Sequence, residues 1–400
     1  MQESPLFPLQ TRPKSRTPFY VAALAIVLIL ASGGWAYWYA TRWTPVVETP
    51  VEVPVVATST PVLPPPVVHV PMPDEVRGIY VNGDSAGTKR LDELADYAVA
   101  SHLNTLVIDL KLDNGELTFV PNDPALKENA PENPAVKDLD ASLERLRAKG
   151  IYRIARIFIF RDGAFGKRHP NIVLRTTGGG IWRDNLGTPW LDPAAPEVAD
   201  YAIALAREAY TRGFDEVQFD YIRFPTDGRL ATIRYPVYDG TKTRVETMKA
   251  FFDRVGGALH QDGIPVSFDL FGMTFWTLAD FDIGQRLPDV YPYAVAVSPM
   301  VYPSHYPTGF QGFTNPALYP YEIVKRSLDK GIETLRTEQP DVVPAEAQKK
   351  FRPWIQDFNM GATYDAAKVE AQIKAARDAH AGGWMIWNAG NKYTKAAYVK

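Results

Sequence analysis

Apolar and polar positions change period repeatedly along this chain, and the changes mark its elements. From Arg77 onward, short apolar runs read as strands: Gly78–Val81 (GIYV), Leu103–Leu110 (LNTLVIDL), Ile151–Phe160 (IYRIARIFIF) and Gly213–Pro225 (GFDEVQFDYIRFP). Four more follow: Pro265–Leu270 (PVSFDL), Ala294–Tyr302 (AVAVSPMVY), Arg352–Phe358 (RPWIQDF) and Gly383–Asn388 (GWMIWN). Between them the apolar positions recur at helical spacing. Leu91, Leu94, Ala95, Ala98 and Val99 give one helix, and Leu139–Lys149 another, stopped by Gly150. Asp192-Pro193 pairs a capping residue with a first-turn proline and predicts a helix to about Arg212, ended by Gly213. Lys242–His260, Tyr321–Thr337 and Ala366–His380 predict three more, with a short one near Ile283–Leu287. Eight strands, nearly all separated by helices, predict a closed (β/α)8 TIM barrel. The alternative is an open, doubly wound sheet. Against it, Asn82-Gly83-Asp84 after the first strand lacks the Gly-rich phosphate-binding fingerprint.

The N-terminal part follows another pattern. Residues 1–18 carry Arg12, Lys14 and Arg16 against one acid, Glu3, and Phe19–Ala40 contains no charge. At about 1.5 Å per residue that run reaches about 33 Å, enough for a hydrocarbon core of about 30 Å. Trp35, Tyr37, Trp38, Tyr39 and Trp43 suit its outer interface, and the preceding basic residues place the N-terminus in the cytoplasm. The rival is a cleaved signal peptide, with Ala31-Ser32-Gly33 as its small-residue site, but the apolar run continues to Ala40. Residues 41–73 are rich in proline, with Pro64-Pro65-Pro66 at the centre, and predict an extended linker. The expected organisation is a cytoplasmic tail (1–18), a single-pass membrane anchor (19–40), a linker (41–73) and an extracytoplasmic barrel domain (74–400).

Composition narrows the chemistry. A net charge of −3 offers no basic field, so no nucleic-acid partner is expected. The chain has no cysteine, which removes disulfides, thiolate catalysis and Cys-based metal sites. Its six histidines fall in no H-x-x-H pattern. No metal or cofactor is expected, and a metal-dependent polysaccharide deacetylase lacks its His/Asp cluster. Ser298 and Ser304 lack a nucleophile elbow.

What remains is acid. Asp109, Asp162, Asp220, Asp269 and Asp357 fall at or just past strand ends. In a closed barrel those ends converge on one face, where catalytic residues of such barrels sit. Two carboxylates suffice to cleave a glycosidic bond: one protonates the leaving oxygen, the other acts as base or nucleophile. The plainer reading pairs these acids with Lys111, Arg156, Arg161 or Arg223, above all Asp220 with Arg223. Tyr221, Trp276, Tyr302, Tyr306, Trp354 and Trp387 lie near the same ends and suit either sugar-ring faces or packing. His305 is a candidate hydrogen-bond donor or proton shuttle.

QFDYIRFP (Gln218–Pro225), SPMVYPSHY (Ser298–Tyr306), RPWIQDF (Arg352–Phe358) and WMIWNAGNKY (Trp384–Tyr393) add a further signal. Together with VIDLK (Val107–Lys111) and FDLFG (Phe268–Gly272), in order from about Arg77 to Tyr393, they resemble the bacterial "putative glycoside hydrolase domain" family. That family was formerly a domain of unknown function and is grouped with TIM-barrel glycosidases. The resemblance implies a (β/α)8 barrel acting on polysaccharide or cell-wall glycan. It implies that Asp220, after the fourth strand, is nucleophile or base. The acid partner is then expected on the fifth or sixth strand; SPMVY carries no acid, and the fifth strand offers Asp269. Substrate contacts are expected from Asp109, Lys111, Tyr221, Arg223, Tyr302, His305, Gln356, Asp357, Trp387 and Asn388. A non-catalytic glycan-binding or envelope-scaffolding barrel is the alternative.

Overall fold

A computed structural model of the protein describes residues 67–398. The predicted span Phe19–Ala40 and the linker up to residue 66 lie outside the described residues. Among the described residues, no helix is long and apolar enough to cross a membrane.

All eight predicted strands are present. They are β1 (Val76–Val81), β2 (Thr105–Asp109), β3 (Tyr152–Phe158), β4 (Glu216–Asp220), β5 (Val266–Phe271), β6 (Ala296–Met300), β7 (Trp354–Gln356) and β8 (Gly383–Trp387). Each pairs in parallel with its sequence neighbours, and β8 closes on β1, so the sheet is a barrel without edges. Alternation along each strand sorts its side chains. Val217 and Phe219 of β4 pack outward with the helices, whereas Tyr80, Val107, Tyr152, Ile154, Trp354 and Met385 form a separate inner cluster.

Helices join the strands where their signals predict. Lys89–Ala100, Leu139–Ala148 and Arg244–Gln261 are capped by Thr88, Asp138 and Thr243, the last in a reciprocal capping box with Glu246. Pro320–Glu338 and Ala366–Asp378 cover the last strands. The helix expected from Asp192-Pro193 instead starts at Pro196 and runs to Arg212, where Gly213 closes it at φ +113°. Asp192 is engaged elsewhere: its carboxylate accepts from the backbone N–H of Ala194, Val237 and Tyr238, tying down a neighbouring loop. A further helix, Pro344–Lys350, fills the connection before β7. Between β3 and β4, the chain from 161 to 191 folds over the mouth and pairs a two-residue strand (Arg175–Thr176) with Ile233–Arg234.

Residues 67–73, expected as the end of the linker, pack on the barrel. Asp215, just before β4, is held by Arg153 and accepts the Val70 backbone N–H at 2.7 Å. His69 stacks on Tyr210 at 4.0 Å. This strap sits at the N-terminal ends of the strands.

The same end depends on one glycine. Gly383 opens β8 at φ +140°, and a Cβ there would lie 2.1 Å from the Val76 carbonyl oxygen. Gly383→Ala must therefore spread the β8–β1 seam. We expect a loss of about 3 kcal/mol, from strain and overpacking together, read by urea denaturation.

Candidate active site

β4 sends Glu216, Gln218 and Asp220 to the barrel interior at successive heights. Glu216 meets Arg352 at 2.8 Å, with the Tyr152 hydroxyl and Ser267 alongside, and forms a buried ionic floor. Above it, Gln218 Nε2 donates to Ser298 Oγ at 3.2 Å. At the top, Asp220 ends the strand and faces the mouth.

The centre of the mouth is Arg156, inward-facing on β3. Its Nη1 donates to Asp109 at 2.7 Å, its Nη2 to Asp220, and its Nε lies 3.5 Å from Asp269 Oδ2. That last separation is beyond hydrogen-bond range. Neither the Nε nor Oδ2 has another partner among the described residues. The guanidinium stacks within 4.6 Å of Phe158 and 4.9 Å of Trp387. Tyr80 donates its hydroxyl to Asp109, and Trp354 Nε1 donates to Asp269 Oδ1 at 2.8 Å.

Electrostatics separates the acids. Burial first, and then the neighbouring charge of Asp220, push the Asp269 carboxyl well above its usual range, against the pull of Arg156. Burial raises Asp109 to about 6, opposed by Arg156 and Tyr80. Arg156 is raised despite its burial, because Asp109 and Asp220 outweigh the desolvation.

A cavity of about 180 Å³ opens on this cluster, lined by Arg156, Asp220, Tyr221, Arg223, Asp269, Phe271, Met300, Tyr302, Trp354 and Trp387. It shares Arg223, Phe271, Met300 and Tyr302 with an adjoining cleft of about 420 Å³ that reaches His305 and Tyr306. Two larger hollows, near 500 and 490 Å³, do not touch the Arg156 cluster. Tyr221 holds φ at +53°, a strained value for an aromatic residue. Asp220 Oδ1 accepts its backbone N–H at 2.5 Å.

The structure thus gathers Asp220, Asp269, Tyr221, Arg223, Tyr302 and Trp387 at one cavity, with His305 in the adjoining cleft and Asp109 behind Arg156. Four expected substrate contacts lie off it. Lys111 is fully buried and binds Asp162 and the Phe158 carbonyl. Asp357 accepts from the backbone and hydroxyl of Thr394, and Asn388 donates to the Asp357 carbonyl. Gln356 is engaged with Ser304 and Phe358. Asp162 caps the helix Gly163–Arg168 through the Phe165 N–H. The expected Asp220–Arg223 pair does not form; Asp220 takes Arg156. Sequence reasoning did not place Tyr80 in the site; it offered Arg156 only as one possible ion-pair partner of the acids, and Trp354 only as a sugar platform or packing. The available signal for Arg156 was register: of the two arginines of β3, it alone shares the inward alternation of Tyr152 and Ile154.

A parallel barrel with two acids facing one cavity at its C-terminal mouth, walled by aromatic rings, is a glycosidase-like barrel. The chain belongs to the family described as "Putative glycosyl hydrolase domain", whose model matches residues 78–393. A "hypothetical protein" from Ruminiclostridium thermocellum is 32% identical over 48% of this chain and 96% of its own, with a TM-score of 0.42. The PgaB (BpsB) glycoside hydrolase domain of Bordetella bronchiseptica is similar in fold, with a TM-score of 0.54 at 14% identity over 78% of this chain and 94% of that one. The alpha-L-fucosidase isoenzyme 2 of Paenibacillus thiaminolyticus reaches 0.50 at 12% identity, over 81% and 48%. No curated protein matches the chain.

Proposed function

We propose that this chain is a glycoside hydrolase held at the membrane by Phe19–Ala40, with its barrel acting on an extracytoplasmic polysaccharide. One observation carries the catalytic reading: Asp220 and Asp269 face one cavity, and the Arg156 guanidinium reaches both. Asp269 is the general acid. Its raised pKa keeps a proton available for the leaving oxygen, and Trp354 fixes the orientation of its carboxyl. Asp220 is the nucleophile or base, anchored by Arg156. Carboxylates about 5–5.5 Å apart act by retention and those about 6.5–9.5 Å apart by inversion, so the anomer first released, followed by NMR, identifies the class. Tyr302, Trp387 and Tyr221 hold sugar rings by their faces.

Incubating the full-length protein with a glycan panel tests this reading through released reducing ends. Saturable binding without release would favour the non-catalytic barrel. The acid role adds a pH signature. Asp269 must be protonated to act, so kcat/KM falls as pH rises through its elevated pKa. In Asp269→Asn that alkaline limb is absent, and the rate is lower by about 10²–10⁴ on substrates with poor leaving groups. An unchanged alkaline limb in the variant moves the acid role to another residue.

A further inference from the structure

Five arginines are buried among the described residues: Arg153, Arg156, Arg161, Arg223 and Arg352. Four of them have carboxylate partners: Asp215, Asp109 with Asp220, Asp184, and Glu216. Arg223 has none. Its side chain makes one hydrogen bond within the protein, from Nη1 to the Phe224 carbonyl at 3.0 Å. Yet it is only 7% exposed. Burying a charge without a paired carboxylate is costly, and burial shifts the Arg223 pKa down, against the more distant pull of Asp220 and Asp227.

Its setting explains the exception. The guanidinium lies over the rings of Phe271 (4.6 Å), Trp190 (5.0 Å) and Tyr221 (5.5 Å), which hold the fork in place. It lines both the cavity over Asp220 and Asp269 and the adjoining cleft, so its remaining donors stand at their junction. A planar fork of fixed donors matches an oxyanion in two-point fashion and is worth more when desolvated.

We propose that Arg223 is an oxyanion receptor, and that the glycan taken by this cleft is acidic, with a charged substituent on the sugar at or next to the one that reaches Asp220. This rests on reading the cavity as a glycan site. The bound anion supplies the counter-charge that the protein leaves out at Arg223. The substituent is a carboxylate, as in a uronic acid, or a sulfate or phosphate ester; all three fit the fork.

Binding to full-length Asp220→Asn protein separates these cases without cleavage. The probes are hyaluronan and polygalacturonate, each beside its carboxyl-reduced form; dextran sulfate beside dextran; and a polyol-phosphate teichoic acid beside its dephosphorylated polyol. We expect at least one acidic polymer to bind about tenfold or more tighter than its neutral partner. Arg223→Gln should remove that preference, and Arg223→Lys should retain part of it. The comparison of charged and neutral polymers on protein with Arg223 intact does not depend on how the variants fold. Equal binding of every pair, no binding by any acidic polymer, or a preference unchanged in Arg223→Gln overturns the inference. Cleavage is scored separately on wild-type protein. Absent cleavage with acid preference intact removes the hydrolase reading alone, whereas equal cleavage of neutral and acidic partners removes the acidic-substrate inference alone.

Discussion

Asp220→Asn abolishes release of reducing ends from any glycan the wild-type protein cleaves, with turnover lower by about 10⁴-fold or more. The fold survives, because the amide keeps the shape of the carboxylate. Its oxygen still accepts from either Arg156 or the Tyr221 N–H. In the role proposed for Asp220, what is lost is the carboxylate that attacks the anomeric carbon or activates water against it. Circular dichroism and denaturation midpoints close to wild type, together with lost turnover, are the expected pair of results. Undiminished turnover would remove Asp220 from the chemistry.

The second large effect lies one residue away in space. Arg156→Met leaves Asp109, Asp220 and Asp269 without the cation that faces all three. Removing one partner from a buried ionic cluster costs about 3–5 kcal/mol at neutral pH. The sign of its pH dependence follows from the carboxyls. Asp109 and Asp269 are already raised in the folded protein, and without Arg156 they rise further. A raised carboxyl stabilises the fold below its unfolded pKa, and that stability is lost as pH rises through the folded value. The deficit of Arg156→Met is therefore larger at pH 8 than at pH 5. Urea denaturation at both values measures it. Equal deficits would mean that Asp109 and Asp269 do not titrate against this arginine.

The barrel was legible because alternation and helical spacing are local properties. Each strand announced itself within its own few residues, and closure follows from eight such units in series. The gathering of Asp109, Asp220 and Asp269 was legible for the same reason, since a strand's end has only one place to go. Partner choice was not. Asp220 and Arg223 are three apart in the chain, but the positive φ at Tyr221 turns the backbone between them, and Arg156 arrives from another strand. Lys111 and Asp162 both sit at strand ends too. They satisfy each other under the surface, which no reading of either segment alone reveals. Trp354 looked like packing or a sugar platform; only the approach of β7 to β5 makes its N–H a clamp on Asp269.

The strap at residues 67–73 has a bearing on how the domain is held. It fastens beside Asp215 and Arg153, at the closed end of the cylinder, while Asp220 and its cavity open at the other. The chain at residue 67 therefore meets the barrel on the face opposite the cavity, so a load applied through the strap falls on the Arg153–Asp215 pair and the barrel floor before it reaches the mouth.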